Sequence, residues 1–367
     1  MEENNLKTYL LKHKEPNDSL ILDYVQKNGG RCVYSSPILP IMGITITNEL
    51  KEKIESYFEL DYIMEDPVGR LQDVEGTVNS VQRNTNNLQI VPRIDFQSLT
   101  KDNLTGWGTT VAVLDSGIVN EKWVVEHHDF TAFGSTPFID HGTKVASIIR
   151  LAAPGSKIIS FKVSQDGYVS GTNVLKAIDL AVTKADIINM SIGFNSSVTK
   201  CTESNPCTFC EYVNYYTQNS DKLFVVAAGN RGEENKKENL VQCPGNSQEA
   251  ITVGAIKPHV EQLADYSSPG VAGMKKPNIL TSGTIYFNQM LDYGTSFSTP
   301  IITGVCATLF SKLQNSIPDT KSYLYSATID IGLPEHQQGF GLFNLEKLLE
   351  VFINDQSNDQ SEGQEQS

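Results

Sequence analysis

Four residues with reactive or polar side chains follow or begin apolar segments of the chain. Asp115 comes directly after the strand-like segment TTVAVL, and Asn230 follows LFVVAAG. His141 and Ser296 lie at predicted helix starts, in DHGTKVAS and YGTSFSTP. In a doubly wound parallel sheet, functional groups gather at the carboxyl ends of the strands. The sequence therefore predicts that a carboxylate, a carboxamide, an imidazole and a hydroxyl share one site.

This set of side chains is suited to acyl transfer. A serine hydroxyl is a weak nucleophile until a neighbouring base takes its proton. An imidazole titrates near neutral pH, so it can act as that base and then as the acid for the leaving amine. A buried carboxylate orients the imidazole, and a carboxamide N–H stabilises the oxyanion. We therefore predict Ser296 as the nucleophile, His141 as the general base, Asp115 as the orienting carboxylate and Asn230 as the oxyanion donor.

The segments that must position these side chains alternate between two apolar patterns. Short strand-like runs are TTVAVLD, KIISFKV, DIINMSI, LFVVAA and AITVGA, and helix-like runs are GTKVASIIRLAA, TNVLKAIDLAVTK, EYVNYYTQ and SFSTPIITGVCATLFSKL. Strands that alternate with helices predict an α/β fold with a doubly wound, mostly parallel sheet. The short apolar strands fit burial on both faces of that sheet.

We predict four parts along the chain. Residues 1–72 show the order β-α-β-β-α-β, which is the plan of a small ferredoxin-like α+β domain. Residues 73–92 are polar and aperiodic, which predicts a linker. Residues 93–353 hold the α/β pattern. Residues 354–367 are acidic and of low complexity, which predicts a disordered tail.

Composition narrows the classes of partner. The 367 residues include 29 basic and 43 acidic ones, so the formal net charge is −14. A negative field repels phosphates and anionic lipids, so we expect neither nucleic acid nor a membrane as partner. The first residues hold no basic segment followed by an apolar one, so we expect no secretory signal and a cytoplasmic protein. We also expect a monomer.

The motifs around the four residues resemble those of the subtilisin-like serine proteases, the subtilases. AVLDSG, HGTKVAS and GTSFSTP resemble the aspartate, histidine and serine motifs of that family, and VVAAGN resembles its oxyanion-asparagine segment. Their order along the chain is also the order of the family. The resemblance covers about residues 105–350. It implies a subtilisin-like fold and a serine endopeptidase that needs no organic cofactor.

Residues 6–72 resemble the inhibitory propeptide of the same family. The resemblance implies a zymogen whose partners are its own propeptide and a peptide or protein substrate. The segment MEDPVGRLQ stands where the propeptide tail would lie in the cleft, so we expect cleavage near Gln72–Asp73. Both general proteolysis and the processing of a leader peptide stay open. The alternative is a peptide-binding relative without catalysis. A nucleotide-binding domain is disfavoured because no glycine-rich phosphate loop follows a strand.

The resemblance also implies a substrate cleft in which the peptide lies as an added strand. The resemblance places Gln242 in the wall of the S1 pocket, which receives the P1 residue before the cleaved bond. A glutamine there would narrow the pocket and favour a medium polar or aliphatic P1 residue over a large aromatic one. The other orientation of this glutamine, toward solvent, stays open. The predicted substrate-binding residues are Gly167, Tyr168, Val169, Ser191, Ile192, Gly193, Ala228, Gly229 and Gln242.

We predict no metal ligand from the sequence. The loop that wraps calcium in well-known subtilisins is missing between the His141 helix and KIISFKV, so calcium stays open but is not expected. Asp129 is interpreted as a structural cap rather than a calcium ligand. Lys144 is interpreted as a solvated helix charge, with a position near the cleft as the alternative.

Four cysteines near the predicted cleft are harder to interpret. Cys201, Cys207 and Cys210 fall in the insertion KCTESNPCTFCEY, and Cys243 lies in the S1-wall segment. The Cys-x-x-Cys spacing fits zinc, but no histidine or second Cys pair completes a regular zinc pattern. Zinc is therefore disfavoured, and a disulfide and reduced thiols stay open.

Overall fold

The computed structural model describes residues 6–14, 18–72, 88–119, 121–199, 201, 205–234, 238–288 and 290–352. Among these residues, no helix combines the length and the apolar character needed to cross a membrane. The predicted cytoplasmic location stays a prediction. The predicted tail, 354–367, and most of the predicted linker lie outside the described residues.

The N-terminal unit has the predicted order β-α-β-β-α-β. Its four strands form an antiparallel sheet, and its apolar core lies between that sheet and the two helices. The first turn of the second helix is capped by Thr47, whose hydroxyl accepts a hydrogen bond from Leu50 N. The elements are β1 (Lys7–His13), α1 (Asp18–Lys27), β2 (Arg31–Ser35), β3 (Ile41–Ile46), α2 (Asn48–Tyr57) and β4 (Leu60–Glu65), and the strand order is β2-β3-β1-β4.

Strands and helices then alternate through the larger α/β unit. The strands are β5 (Val68–Leu71), β6 (Leu88–Val91), β7 (Thr110–Asp115), β8 (Val124–Asp129), β9 (Lys157–Lys162), β10 (Tyr168–Ser170), β11 (Ile187–Met190), β12 (Ile192–Gly193), β13 (Leu223–Ala227), β14 (Ile251–Ile256), β15 (Ile279–Ser282), β16 (Thr284–Phe287), β17 (Met290–Tyr293), β18 (Thr328–Ile329) and β19 (Leu342–Phe343). The helices are α3 (Gln97–Lys101), α4 (His141–Ala152), α5 (Gly171–Ala181), α6 (Ser196–Thr199), α7 (Thr208–Ser220), α8 (Thr295–Lys312), α9 (Ile317–Ser326), α10 (Glu335–Gln338) and α11 (residues 345–352).

A nine-stranded sheet forms the centre of this unit, in the order β18-β19-β15-β14-β13-β11-β7-β9-β8. All neighbours pair in parallel except β18 and β19. Along β7, Val111 and Val113 belong to the core that contains α4 and α8, whereas Ala112 and Leu114 belong to the core that contains α5 and α7. The sheet is therefore buried on both faces, and the predicted doubly wound α/β class is confirmed.

The linker prediction is wrong for its last residues. Leu88–Val91 form β6, which pairs antiparallel with β16, in a sheet of order β17-β16-β6. Ile90 and Phe287 are buried there in the main core. Leu88 and Ile90 have the two-residue spacing of a half-buried strand. The partner of β6, however, is β16, which lies far along the chain.

Lys144 is not a solvated helix charge, because its side chain is buried on α4. Its ammonium lies 2.9 Å from a carboxylate oxygen of Asp140 and 2.7 Å from one of Asp292. All three side chains are at most 5% exposed. Burial lowers the pKa of Lys144, but the two carboxylates outweigh burial and hold that pKa above its usual value. The triad therefore ties the start of α4 to β17 by charge.

We predict that Lys144→Ala lowers the free energy of unfolding by about 3–5 kcal/mol, since it strands two buried carboxylates without a cation. Urea denaturation followed by circular dichroism measures this loss. The control is Lys184→Ala, which removes the partly exposed ion pair with Glu126. This control should leave the denaturation midpoint nearly unchanged. Equal effects of the two substitutions would contradict the importance of the buried triad.

Candidate active site

Asp115 and His141 form a buried hydrogen-bonded pair. Asp115 ends β7, and its Oδ1 accepts hydrogen bonds from His141 Nδ1 at 2.7 Å and from Ser116 N at 2.7 Å. His141 begins α4 beside the turn that follows β7. A Cβ at Gly142 would lie 2.4 Å from Gly117 O, so this glycine lets the helix start approach the turn closely enough for the pair to form.

Ser296 lies in the first turn of α8 and is fully buried. Its hydroxyl donates a hydrogen bond to Ser191 O at 3.2 Å. Its backbone N–H donates to Gln72 O at 2.9 Å. The helix start therefore presents its backbone donor to the carbonyl of Gln72, at the N-terminus of α8, where the helix dipole favours negative charge.

Asn230 follows β13 by a short turn and faces the same place. Its Oδ1 accepts hydrogen bonds from Thr295 N at 3.0 Å and from Thr295 Oγ1 at 2.9 Å. Its Nδ2 is buried, and within the described residues it has no hydrogen-bond partner. Buried amide donors are nearly always hydrogen-bonded. An unpaired one at this position is therefore available to an acceptor that binds in the cleft.

A strand of the chain itself fills the cleft. β5 lies between β10 and β12 and pairs antiparallel with both. Leu71 N donates to Gly167 O, and Gln72 N donates to Ser191 O, both at 2.9 Å. Six predicted substrate-binding residues contact this strand or flank it, namely Gly167, Tyr168, Val169, Ser191, Ile192 and Gly193.

The remaining predicted residues of the cleft gather around Gln242. Its backbone N–H donates to Ala228 O at 2.9 Å. Its side chain is only 8% exposed. A Cβ at Gly229 would lie 2.4 Å from Gln242 Oε1, and a Cβ at Gly193 would lie 2.9 Å from Gln242 Cβ. The glutamine therefore packs inward against both glycines, and the alternative orientation toward solvent is wrong.

The side chain of Gln72 is held by polar contacts at the same place. Its Oε1 accepts a hydrogen bond from Asn230 N at 3.0 Å, and its Nε2 donates to Arg70 O at 2.9 Å. Both polar atoms of the carboxamide are thus bonded. An adjoining cavity of about 1110 Å³ is lined by these residues and by Arg231 and Glu234.

Sequence reasoning missed Phe194, which directly follows the predicted cleft segment. Its ring stacks on Phe209 with centroids 4.1 Å apart, and both rings are buried. A Cβ at Gly69 would lie 2.8 Å from two atoms of the Phe194 ring. The Phe194 ring therefore leaves room for a glycine, but not for an added Cβ atom, at position 69 of β5. In the sequence, Phe194 could be noticed because it follows Gly193. The direction of its side chain is seen in the structure alone.

Sequence reasoning also missed the anchor at Asp66. Its Oδ1 accepts hydrogen bonds from Thr172 N at 2.8 Å and Thr172 Oγ1 at 2.9 Å, and its Oδ2 accepts one from Ser170 Oγ at 2.5 Å. These partners form the N-terminus of α5, where a negative charge is favourable. Burial raises the pKa of Asp66, although these hydrogen bonds act against that rise.

Two groups of residues bear on metal binding. Asp129 caps a turn, because its Oδ1 accepts from Thr131 N at 2.9 Å and its Oδ2 accepts from Gly134 N at 2.7 Å. This agrees with the structural interpretation of Asp129.

The sulfur atoms of Cys201, Cys207, Cys210 and Cys243 all lie within 4.8 Å of one another. These thiols form the one group in the described part of the chain with a metal-ligand arrangement.

Comparisons with known proteins identify the family of this chain. The sequence profile of the subtilase family matches residues 106–341. Subtilisin DY of Bacillus licheniformis is 24% identical over 280 residues, which cover 70% of this chain and 96% of that protein. Alkaline elastase YaB of a Bacillus species is 28% identical over 336 residues, which cover 84% and 79% of the two chains.

Other relatives are much longer than this chain. Pyrolysin of Pyrococcus furiosus is 29% identical over 294 residues, which cover 66% of this chain and 20% of pyrolysin. The matched part is likewise 49% of the length of halolysin from Haloferax mediterranei. This chain therefore matches half or less of these two relatives.

A solved structure shares the fold. The epidermin leader peptide processing serine protease EpiP of Staphylococcus aureus superposes with a TM-score of 0.70 at 19% identity, covering 94% of this chain and 98% of that one. Because the family profile spans well over half of the chain, this protein belongs to the subtilase family of serine endopeptidases.

Proposed function

We propose that this protein is a self-processing endopeptidase that cuts its own chain after Gln72 and is then inhibited by residues 1–72. One observation carries the proposal: the carbonyl oxygen of Gln72 lies 2.9 Å from Ser296 N, at the end of a strand that fills the cleft. The carbonyl thus lies where an oxyanion would be stabilised. Main-chain hydrogen bonds on both sides of β5 hold it as a substrate would be held.

In the proposed mechanism, Ser296 Oγ attacks the carbonyl carbon of Gln72. The hydroxyl proton, which points to Ser191 O in this structure, must turn toward His141 for transfer. Asp115 holds the imidazole through Nδ1 at 2.7 Å and stabilises its charged form. Ser296 N and the Nδ2 of Asn230 donate to the developing oxyanion. His141 then gives the proton to the amine of Asp73, and water hydrolyses the acyl-enzyme.

The contacts of the N-terminal unit support its proposed role as an inhibitor. Lys12 forms an ion pair with Glu211 at 2.6 Å. The hydroxyl of Tyr34 donates to Asp179 at 2.6 Å. Tyr34 also belongs to the core cluster of the larger unit, together with Leu10. The unit is therefore attached by charge, hydrogen bonds and apolar packing in addition to β5, which keeps the cleft covered after cleavage.

We further propose a narrow substrate class, namely peptides with an extended segment before the cleaved bond. This segment has glutamine at P1 and glycine at P4, as Gln72 and Gly69 do here. Both polar atoms of the Gln72 side chain are bonded, and Phe194 closes the space beside Gly69. Such selectivity suits the maturation of one peptide better than general digestion. The EpiP protease of similar fold processes the epidermin leader peptide, and we propose leader processing for this chain as well.

The first test of the mechanism is self-processing of purified protein. The wild-type chain should lose residues 1–72, whereas Ser296→Ala should stay at full length because it has no nucleophile. Asn230→Ala should process about 10²–10³-fold more slowly, the loss seen when subtilisin lacks this oxyanion donor. Electrophoresis and mass spectrometry measure both results.

A fluorophosphonate probe provides the control for folding and activity. Once the cleaved N-terminal unit has been removed, it should label the wild-type enzyme at Ser296, and circular dichroism should show that Ser296→Ala remains folded. Self-processing by purified Ser296→Ala, or a wild-type enzyme that stays unlabelled after removal of the N-terminal unit, would contradict the proposed enzyme and favour a peptide-binding relative without catalysis.

The S1 contacts predict a preference for glutamine. In a library of peptides of the form Gly-Arg-Leu-X, the kcat/KM for X = Gln should exceed that for Phe and Tyr by at least about tenfold. The reason is that the Gln72 carboxamide fits the Asn230 N–H, and a site built on polar contacts rejects a residue that leaves them unpaired. Equal rates for Gln and Phe would exclude this role of the pocket.

The closed subsite beside Gly69 predicts a second selectivity. Gly69→Ala should slow self-processing, because its Cβ would meet the Phe194 ring at 2.8 Å. The matched control is Val68→Ala, at the neighbouring position whose side chain is 61% exposed. This control should process at the wild-type rate. The time course of full-length chain on gels distinguishes them, and equal rates would show that Phe194 does not restrict this position.

A further inference from the structure

Four cysteines from three separate segments meet beside the S1 wall. Cys201 follows α6, Cys207 is the N-cap residue of α7, Cys210 lies in the first turn of that helix, and Cys243 lies between β13 and β14. Three of the four side chains are buried and Cys201 is partly buried. Four soft ligands converge on one small volume that solvent hardly reaches.

The distances between the sulfur atoms bear on the disulfide and zinc alternatives. Cys210 Sγ lies 3.7 Å from Cys201 Sγ and 3.8 Å from Cys207 Sγ. A disulfide would need about 2.05 Å. Zinc in a tetrahedral site binds sulfur at about 2.3 Å, and since a tetrahedron's edge is about 1.63 times this length, neighbouring sulfurs lie about 3.8 Å apart. The two distances from Cys210 Sγ match this edge length, and all four sulfurs lie within 4.8 Å of one another.

We propose that Cys201, Cys207, Cys210 and Cys243 bind one structural Zn²⁺ ion. Four thiolates complete the tetrahedral shell of zinc and leave no position for water or substrate, which is the arrangement of structural rather than catalytic zinc. Soft sulfur ligands also disfavour calcium and magnesium, which prefer oxygen. The site is separate from the Ser296 site, and its occupancy does not depend on the proposed cleavage.

Polar groups around the cage donate hydrogen bonds to two of the sulfurs. Cys207 N lies 3.3 Å from Cys201 Sγ and donates to it. Cys243 Sγ accepts from Thr199 Oγ1 at 3.5 Å and from Asn246 Nδ2 at 3.7 Å. Such outer-shell donors orient metal ligands and reduce the cost of their negative charge. The Cys210 sulfur, in contrast, lies 3.8 Å from Pro244 O, a contact that suits a thiol and that zinc binding would replace.

The ion would join the cysteine insertion to the substrate cleft. Cys243 and Phe194 exchange two backbone hydrogen bonds of 2.8 Å. Phe194 stacks on Phe209, the neighbour of Cys210. Gln242, in the S1 wall, directly precedes Cys243. A metal that fixes Cys210 to Cys243 would therefore hold both the wall at Gln242 and the ring that closes the space beside Gly69.

The test uses the full-length Ser296→Ala chain, so that the metal count is independent of proteolysis. Protein purified without chelators should contain roughly one zinc ion per chain by plasma mass spectrometry. A mercurial reagent that binds thiolates should release this zinc, detected with a chromogenic chelator. After exchange with Co²⁺, the protein should show thiolate-to-cobalt charge-transfer bands and the visible bands of tetrahedral cobalt.

Cysteine variants locate the site. Cys207→Ser, added to the same chain, should lower the zinc content several-fold, whereas Cys306→Ser, which changes a buried cysteine of α8 outside the cluster, should keep it. If Cys207→Ser does not fold, the cobalt spectrum of the parent chain still decides. Absence of zinc and of tetrahedral cobalt bands, or a disulfide among these cysteines by mass spectrometry, would overturn the proposal.

Discussion

The parallel pairing of β7, β11 and β13 is the constraint on which the site depends. Leu114 and Val226 are both in register with Met190, so the residues that follow these strands leave the sheet at one edge. Asp115, Ser191 and Asn230 are brought together in this way although they lie far apart along the chain. α8 then packs against β11, β13 and β14 and supplies Ser296 from its first turn. The hydrogen-bond distances of the site are a consequence of this register.

The second constraint is strand addition in the cleft. β5 is held on both sides by main-chain hydrogen bonds, and such bonds contribute affinity without reading sequence. In the proposed function, selection therefore comes from the few positions where a side chain of the strand is enclosed. Gln72 is enclosed by polar contacts, and Gly69 is enclosed by an aromatic ring. The exposed Val68, in contrast, carries little information.

The sequence predicted the features that are encoded locally. The doubly wound sheet follows from alternating apolar periods, and the four residues around the site lie in short motifs at strand ends and helix starts. The predictions from sequence that were wrong or left open share a different cause. Lys144 finds Asp292 on a distant strand, Leu88–Val91 pair with Thr284–Phe287, and Cys243 joins three cysteines of a separate insertion. Each depends on a partner far along the chain, which periodicity and motif spacing do not contain.

The contacts that hold β5 in the cleft as the proposed substrate would also hold it there as an inhibitor. In the proposed cycle, cleavage after Gln72 breaks one covalent bond but leaves the hydrogen bonds of β5, the Asp66 anchor and the apolar contact of Tyr34 in place. Release must therefore come from loss of the N-terminal unit as a fold. A unit of this size buries a smaller fraction of its surface on folding than a larger domain does and is marginally stable by itself. Its unfolding, rather than the chemical step, would then set the rate at which free enzyme appears.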